Sequence, residues 1–229
     1  MVTGHTSKIA ENLLEIQKRV INAAMRANRD PFSIIIIGVT KTADAKGVID
    51  AFIAGLENFG ENRVQMLEEK IPGMANVKNR SKWHMIGTLQ KNKINKTLML
   101  FDCIHSIDSI YLAQAVNKRA EKPVEIFIEV NVSGEKSKSG CSVDDVKEIA
   151  AEVSKLPNLK LLGLMTIAPE SHVPEESRPH FKKLKELNDS LNLKFLSMGM
   201  TNDFEVAVEE GATHLRIGRA IFGEAPPKV

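Results

Sequence analysis

Short apolar runs alternate with longer stretches of helical period along almost the whole chain. Four runs in the first half read as strands: SIIIIGV (33–39), LENFGE (56–61), KWHMIG (82–87) and DCIHSI (102–107). Four more follow: VEIFIEVNV (124–132), LKLLGLMTI (159–167), KFLSMGM (194–200) and THLRIG (213–218). Segments such as DAKGVIDAFIAG, SIYLAQAVNKRAE, SVDDVKEIAAEVSKL and ESRPHFKKLKELNDSL lie between them with helical spacing. Repeated strand–helix units imply a parallel sheet, because each crossover returns the next strand to the same direction. Eight units in this length predict an α/β fold closed into a TIM-type (β/α)₈ barrel. An open doubly wound sheet shows the same alternation. A dinucleotide-binding sheet, however, places G-x-G-x-x-G after its first strand, where this chain reads GVTKTAD.

Ahead of the first strand, TSKIAENLLEIQKRVINAAMRANRD sets Ile9, Leu13, Ile16, Val20, Ile21 and Ala24 on one helical face. Residues 1–29 are therefore expected to form an extra N-terminal helix packed on the barrel, and its charges rule out a signal peptide. No linker divides residues 1–229, which read as a single domain, and GEAPPKV (223–229) reads as a frayed end.

Composition narrows the function classes. The 229 residues carry 31 basic and 29 acidic side chains, a net charge of +2, too weak a field to suggest nucleic acid or an anionic membrane. No run approaches the roughly 18 apolar residues of a membrane span. Cys103 and Cys141 stand far apart and in no metal-ligand spacing, so they read as reduced thiols of a cytoplasmic protein. The six histidines are scattered without a ligand motif, and no metal site is expected.

In such barrels the chemistry sits at the C-terminal ends of the strands. The most apolar run, IIIIGVTK, ends on Lys41. Partial desolvation there would lower the pKa of its amine and free it to attack an aldehyde. In HLRIGRAIFG, Arg216 is flanked by apolar residues and is either paired inside or aimed into the barrel mouth. Gly218 opens a short helix where late barrel strands commonly bind phosphate. In LSMGMTND, Ser197 and Gly199 suit close approach by an anion, while Asn202 or Thr201 would cap the next helix, with Glu205 completing a capping box. Asn62, in NFGENRV, either caps a helix or donates a hydrogen bond to a ligand oxygen beside Lys41. An amine, an anion cradle and an enclosed arginine together describe a phosphorylated aldehyde held as an imine.

GVTKT, NFGENRVQ, WHMIGTLQKNK, LLGLMTIA and LSMGMTNDFEVAVEEGATHLRIGRAIFG resemble, in order and spacing, the signatures of the pyridoxal phosphate homeostasis protein family. The resemblance implies the alanine-racemase N-terminal-domain-like barrel, fold type III among pyridoxal-phosphate proteins, without that enzyme's second domain. It implies pyridoxal 5′-phosphate as cofactor, held as a covalent aldimine on Lys41. Ser197 and Gly218 match phosphate contacts, Asn62 a pocket residue near the ring, and Arg216 the arginine facing the pyridine nitrogen. His84 and Met165 lie in matching motifs as wall residues. The family often has a small hydroxyl residue where this chain has Arg219, which either adds to phosphate attraction or points into solvent.

Other strings take plainer readings. GEKSKSG (134–140) is a mobile rim loop, QKNKINK (90–96) a solvated basic face, and Trp83 and Tyr111 core or near-core aromatics. An arginine opposite the ring nitrogen weakens the cofactor's electron sink, and Tyr111, the only tyrosine, does not end a strand. The resulting expectation is a monomeric binding protein, not an enzyme, that stores pyridoxal phosphate and passes it to apo-enzymes by imine exchange. The alternatives are a weak amino-acid racemase using Lys41 with water or His84, and a lysine-based aldolase on a sugar phosphate.

Overall fold

The computed structural model describes residues 7–135 and 137–224. All eight runs form strands: β1 (Ile35–Val39), β2 (Asn58–Glu61), β3 (Lys82–Met85), β4 (Cys103–Ile107), β5 (Val124–Glu129), β6 (Leu159–Met165), β7 (Phe195–Ser197) and β8 (His214–Ile217). They pair in parallel in chain order, and β1 also pairs with β8, so the sheet closes into a barrel. The runs read over β1, β2 and β4 end where the strands do, whereas the other five end later in the sequence reading than in the structure, because the apolar residues continue into the loops of the mouth.

The helices are α1 (Lys8–Arg26), α2 (Ala45–Ile53), α3 (Val64–Lys78), α4 (Ile94–Leu100), α5 (Ile110–Arg119), α6 (Val146–Val153), α7 (Arg178–Ser190), α8 (Phe204–Glu209) and α9 (Arg219–Phe222). Ser7 starts α1, its hydroxyl accepting from the Ala10 N–H, which satisfies one of the amides left open at a helix start. Leu13, Ile16, Val20, Ala23 and Ala24 are buried, but Ile21 is exposed, so the apolar face is rotated slightly from the predicted one. Arg19 pairs with Glu205 and Arg26 with Glu209, which fastens α1 along α8. The expected capping box on α8 is absent: Asp203 is the N-cap, and Glu205 turns outward to Arg19. Residues 225–229 of the tail lie outside the described residues.

Strand alternation divides the interior into two unlike compartments. Outward residues such as Phe59, Trp83, Ile104, Ile126, Leu164, Leu215 and Ile217 join the main apolar core beneath the helices. Inward residues are mostly polar: Asn58, His84, His105, Ser197, His214 and Arg216, beside a small apolar cluster of Cys103, Phe127 and Met165. Trp83 is core as expected, stacked on Phe59, but Tyr111 is 66% exposed on α5, its ring covered by the Lys91 ammonium. Both cysteines are free and buried.

Where β6 meets β7, Gly163 lies against Phe195, and an added Cβ would fall 1.7 Å from the Phe195 carbonyl oxygen. Backbone cannot yield there as a flexible side chain could. Gly163→Ala should therefore lower unfolding stability by about 3 kcal/mol, read from urea midpoints at unchanged slope; a wild-type midpoint would show that β6 and β7 are not in this contact.

Candidate functional site

Two cavities compete for attention. The larger, about 1200 Å³, opens at the N-terminal ends of β3 to β5, among Arg80, Lys82, Asp102, Arg119 and Glu125. The smaller, about 450 Å³, lies in the mouth at the C-terminal ends, where loop residues of several strands converge. Chemistry decides between them. The mouth cavity alone gathers Lys41, Asn62, Arg216, Gly218 and Arg219 on one surface, and barrel mouths are where ligands bind.

Lys41 follows β1 by two residues and lines the cavity, yet it is exposed; the dry environment expected for its amine is absent. What holds it in place is its neighbour. Thr40 is fully buried, and its hydroxyl donates to Glu61 Oε1 at 2.6 Å. Glu61, also fully buried, accepts from the Asn62 backbone N–H through Oε2 and from Lys70 of α3 through Oε1. Lys70 donates as well to the Thr40 carbonyl. One enclosed carboxylate thus ties together the turns that carry Lys41 and Asn62. Asn62 does not cap α3, whose N-cap is Arg63 without a side-chain bond. It is free to face the cavity.

The opposite wall is the loop after β7. Asp203 closes it, accepting from the Met200 N–H at 2.7 Å and from the Ser177 hydroxyl at 2.9 Å. Met200, Thr201 and Asn202 line the cavity, and the N–H groups of Thr201, Asn202 and Arg219 make no hydrogen bond among the described residues. Open amides beside the exposed Arg219 guanidinium form a cradle suited to an anion. Thr201 and Asn202, read from the sequence only as helix caps, are therefore wall residues, and Lys138 of the rim loop joins them. Asn131 Nδ2 donates to the Glu135 carbonyl at 2.8 Å and shapes that loop.

Ser197 and Gly199 are not on this wall. Ser197 is wholly buried below the floor, because strand parity turns it inward one layer too deep. Gly199 is buried at φ 90°, a turn conformation in which a Cβ would strike Ala207. Met165 and His84 likewise point into the barrel below the cavity, so neither is a wall residue and His84 cannot reach a ligand in the mouth.

Arg216 forms the floor. Among the described residues no carboxylate forms an ion pair with it. Nη1 donates to Ser197 Oγ and Nη2 to the Thr166 carbonyl, each at 2.7 Å. Burial pulls its pKa down to about 10, while Glu129 and Asp203 nearby pull it back up. Glu129, on β5, is itself pushed up to about 7 by burial, against the lowering field of Arg216. Beneath lie three histidines. His105 Nδ1 is 2.8 Å from Ser197 Oγ, His84 Nδ1 is 2.9 Å from His105 Nε2, and His84 Nε2 is 3.1 Å from Asn58 Oδ1. Burial holds His84 and His105 well below the usual imidazole range and lowers His214 to about 4.

The fold and the sequence as a whole have counterparts. Residues 5–226 match the family model for the alanine racemase N-terminal domain. The pyridoxal phosphate homeostasis protein of Aquifex aeolicus is 41% identical, over 93% of this chain and 97% of that one. That of Pseudomonas aeruginosa is 40% identical, over 95% and 96%. Among solved structures, PipY of Synechococcus elongatus with PLP bound superposes with a TM-score of 0.80 at 31% identity, covering 94% of this chain and all of that one.

Two outcomes test the site's electrostatics. Lys70→Met leaves the Glu61 charge enclosed without a cation, and should cost roughly 3 kcal/mol of stability and loosen the Lys41 turn, seen as faster amide exchange at Lys41 and Thr42. Unaltered exchange would free Lys41 from this anchor. The second outcome concerns pH. A buried imidazole stays neutral while the unfolded chain takes up a proton below about 6.5, so each of the three histidines withdraws stability as pH falls from there towards 4. Glu129 acts oppositely, retaining its proton in the fold between about 7 and the ordinary 4.5. Three against one leaves a net loss, with His214 alone worth roughly 3 kcal/mol by pH 4. The melting temperature should fall from pH 6.5 to 4.5; a flat or rising profile would contradict the neutral buried imidazoles.

Proposed function

The chain belongs to the pyridoxal phosphate homeostasis protein family, and from that premise we propose that it holds pyridoxal 5′-phosphate as a reversible Schiff base on Lys41 and passes it on to apo-enzymes. The observation that carries this reading is the meeting, in one cavity, of the Lys41 amine, the Thr201–Asn202–Arg219 anion cradle and the Arg216 floor. When bound, the cofactor supplies an aldehyde with which a neutral amine condenses, releasing water.

Each residue has a task that its position supports. The cradle amides and Arg219 grip the phosphate, Gly218 lets the chain turn beside Val39, and Lys41 provides the attacking nitrogen from across the cavity. Arg216 offers only N–H donors, so a ring nitrogen against it is held as an acceptor, without a proton of its own. The loss of a shared proton weakens carbanion chemistry. Neither His84 nor Tyr111 lines the cavity as a second acid or base for racemisation: His84 is enclosed below the floor and Tyr111 is on the outer surface of α5. An exposed lysine suits exchange with incoming amines better than a closed reaction chamber does. Carriage therefore fits better than racemisation.

Borohydride reduction of protein mixed with pyridoxal phosphate should fix one cofactor per chain, and peptide mapping should find it on Lys41. Lys41→Ala should lose the visible imine absorption but keep a weaker, phosphate-competed binding. A label on another lysine, or steady interconversion of alanine enantiomers at enzyme-like rates, would refute the assignment of residue or of role respectively.

A further inference from the structure

Six polar groups inside the barrel are linked in series by direct hydrogen-bond distances: the Thr166 carbonyl, Arg216, Ser197, His105, His84 and Asn58. His84, His105, Ser197 and Arg216 are each at most 4% exposed. The line starts at the cavity floor and ends at Asn58, the first residue of β2. Only the direction of its protons is open, and the Arg216 charge fixes it. The guanidinium can only donate, so Ser197 Oγ accepts from Nη1. With a cation on that side, the favourable dipole direction turns the lone-pair end of every later group towards Arg216. The Ser197 hydroxyl then donates to His105 Nδ1, His105 Nε2–H donates to His84 Nδ1, and His84 Nε2–H donates to Asn58 Oδ1. Each bond along the line then has one donor and one acceptor, and aligned bonds polarise one another.

We propose that His105 and His84 are positioning residues, both neutral with the proton on Nε2, whose one-way hydrogen-bond chain clamps Ser197 and through it the Arg216 guanidinium at the cavity floor. The functional consequence rests on the reading that a cofactor ring lies against Arg216. The charges around the chain agree with it. Beyond burial, Lys82 disfavours an added positive charge on both imidazoles and Arg216 disfavours one on His105, while Glu125 answers Lys82 through its own ion pair. The Cys103 thiol also approaches, since its sulfur and one nitrogen from each of His84 and His105 lie within 4.8 Å of one another. A metal ion among those three atoms is the rival to the proton between the two imidazoles. The field of Lys82 and Arg216 and the strongly raised thiol pKa, caused by burial, favour the proton.

Long-range proton–nitrogen correlation on cofactor-free protein labelled at histidine nitrogen reads the tautomers directly. Two imidazoles with protonated Nε2 and bare Nδ1, unchanged by zinc or by copper(I), are expected. A protonated Nδ1 on either residue, an imidazolium, or stoichiometric metal uptake lost in Cys103→Ser would overturn the proposal. This readout needs neither a variant nor a bound cofactor, so it stands apart from the fate of the Lys41 assignment. In the loaded protein, His105→Phe keeps the ring's bulk but cuts the chain, and should weaken pyridoxal phosphate binding about tenfold (about 1.4 kcal/mol) and shift the visible band. His105→Gln, able both to accept and to donate, should recover most of that loss. If Phe binds as wild type does, or better than Gln, His105 serves packing alone and the positioning role fails.

Discussion

A guanidinium enclosed in a closed barrel, met by a hydroxyl and a carbonyl and, among the described residues, by no carboxylate, sets the terms for the rest of the molecule. Taking such a charge out of water costs several kcal/mol unless its donors are met. The barrel meets them with polar groups where most barrels of this kind place branched apolar side chains. Ser197, His105, His84 and Asn58 are drawn inward by that need, and the apolar core moves outside the strands, beneath the helices. A carboxylate partner would have neutralised the floor. Neutral acceptors leave its positive charge directed at the cavity.

That electrostatic choice also sorts the two cavities. The cleft at the N-terminal ends is larger, but its cations face acids, Lys82 against Glu125 above all. The mouth collects Lys41, Arg216, Arg219 and Lys138 against open backbone amides, with Glu170 and Asp203 as its acidic lining and Asp203 already engaged by Met200 and Ser177. The mouth is the better surface for an anion, since it adds open amides to its cations. Volume alone ranks them the wrong way round.

Much of this was readable along the chain. The eight strands showed as short apolar runs between helical stretches, and Lys41 showed because it closes the most apolar of them. Arg216 showed for a similar reason, as a charge inside an apolar run. Depth did not show. Period-two alternation says which way Ser197, Met165 and His84 point, but not whether they reach the mouth or stop a layer below it. Loop amides did not show either, since Thr201 and Asn202 act through backbone N–H groups that have no residue-type signature. The histidines looked scattered because only ring closure, with β8 beside β1, brings His214 near His84 and His105. Their one legible sign was position: His214 stands two residues before Arg216, on the same inner face.

The Glu61 carboxylate has a mechanical meaning as well as an electrostatic one. Lys41 and Asn62 each directly follow a residue of that knot, so the first two strand tips form a single stiff jaw. Spreading them apart would strip a hydroxyl and an ammonium from a fully enclosed anion. The segment 167–171 and Lys138, which also line the cavity, take no part in that knot, so this anchor stiffens one side of the rim and leaves the other untied to it.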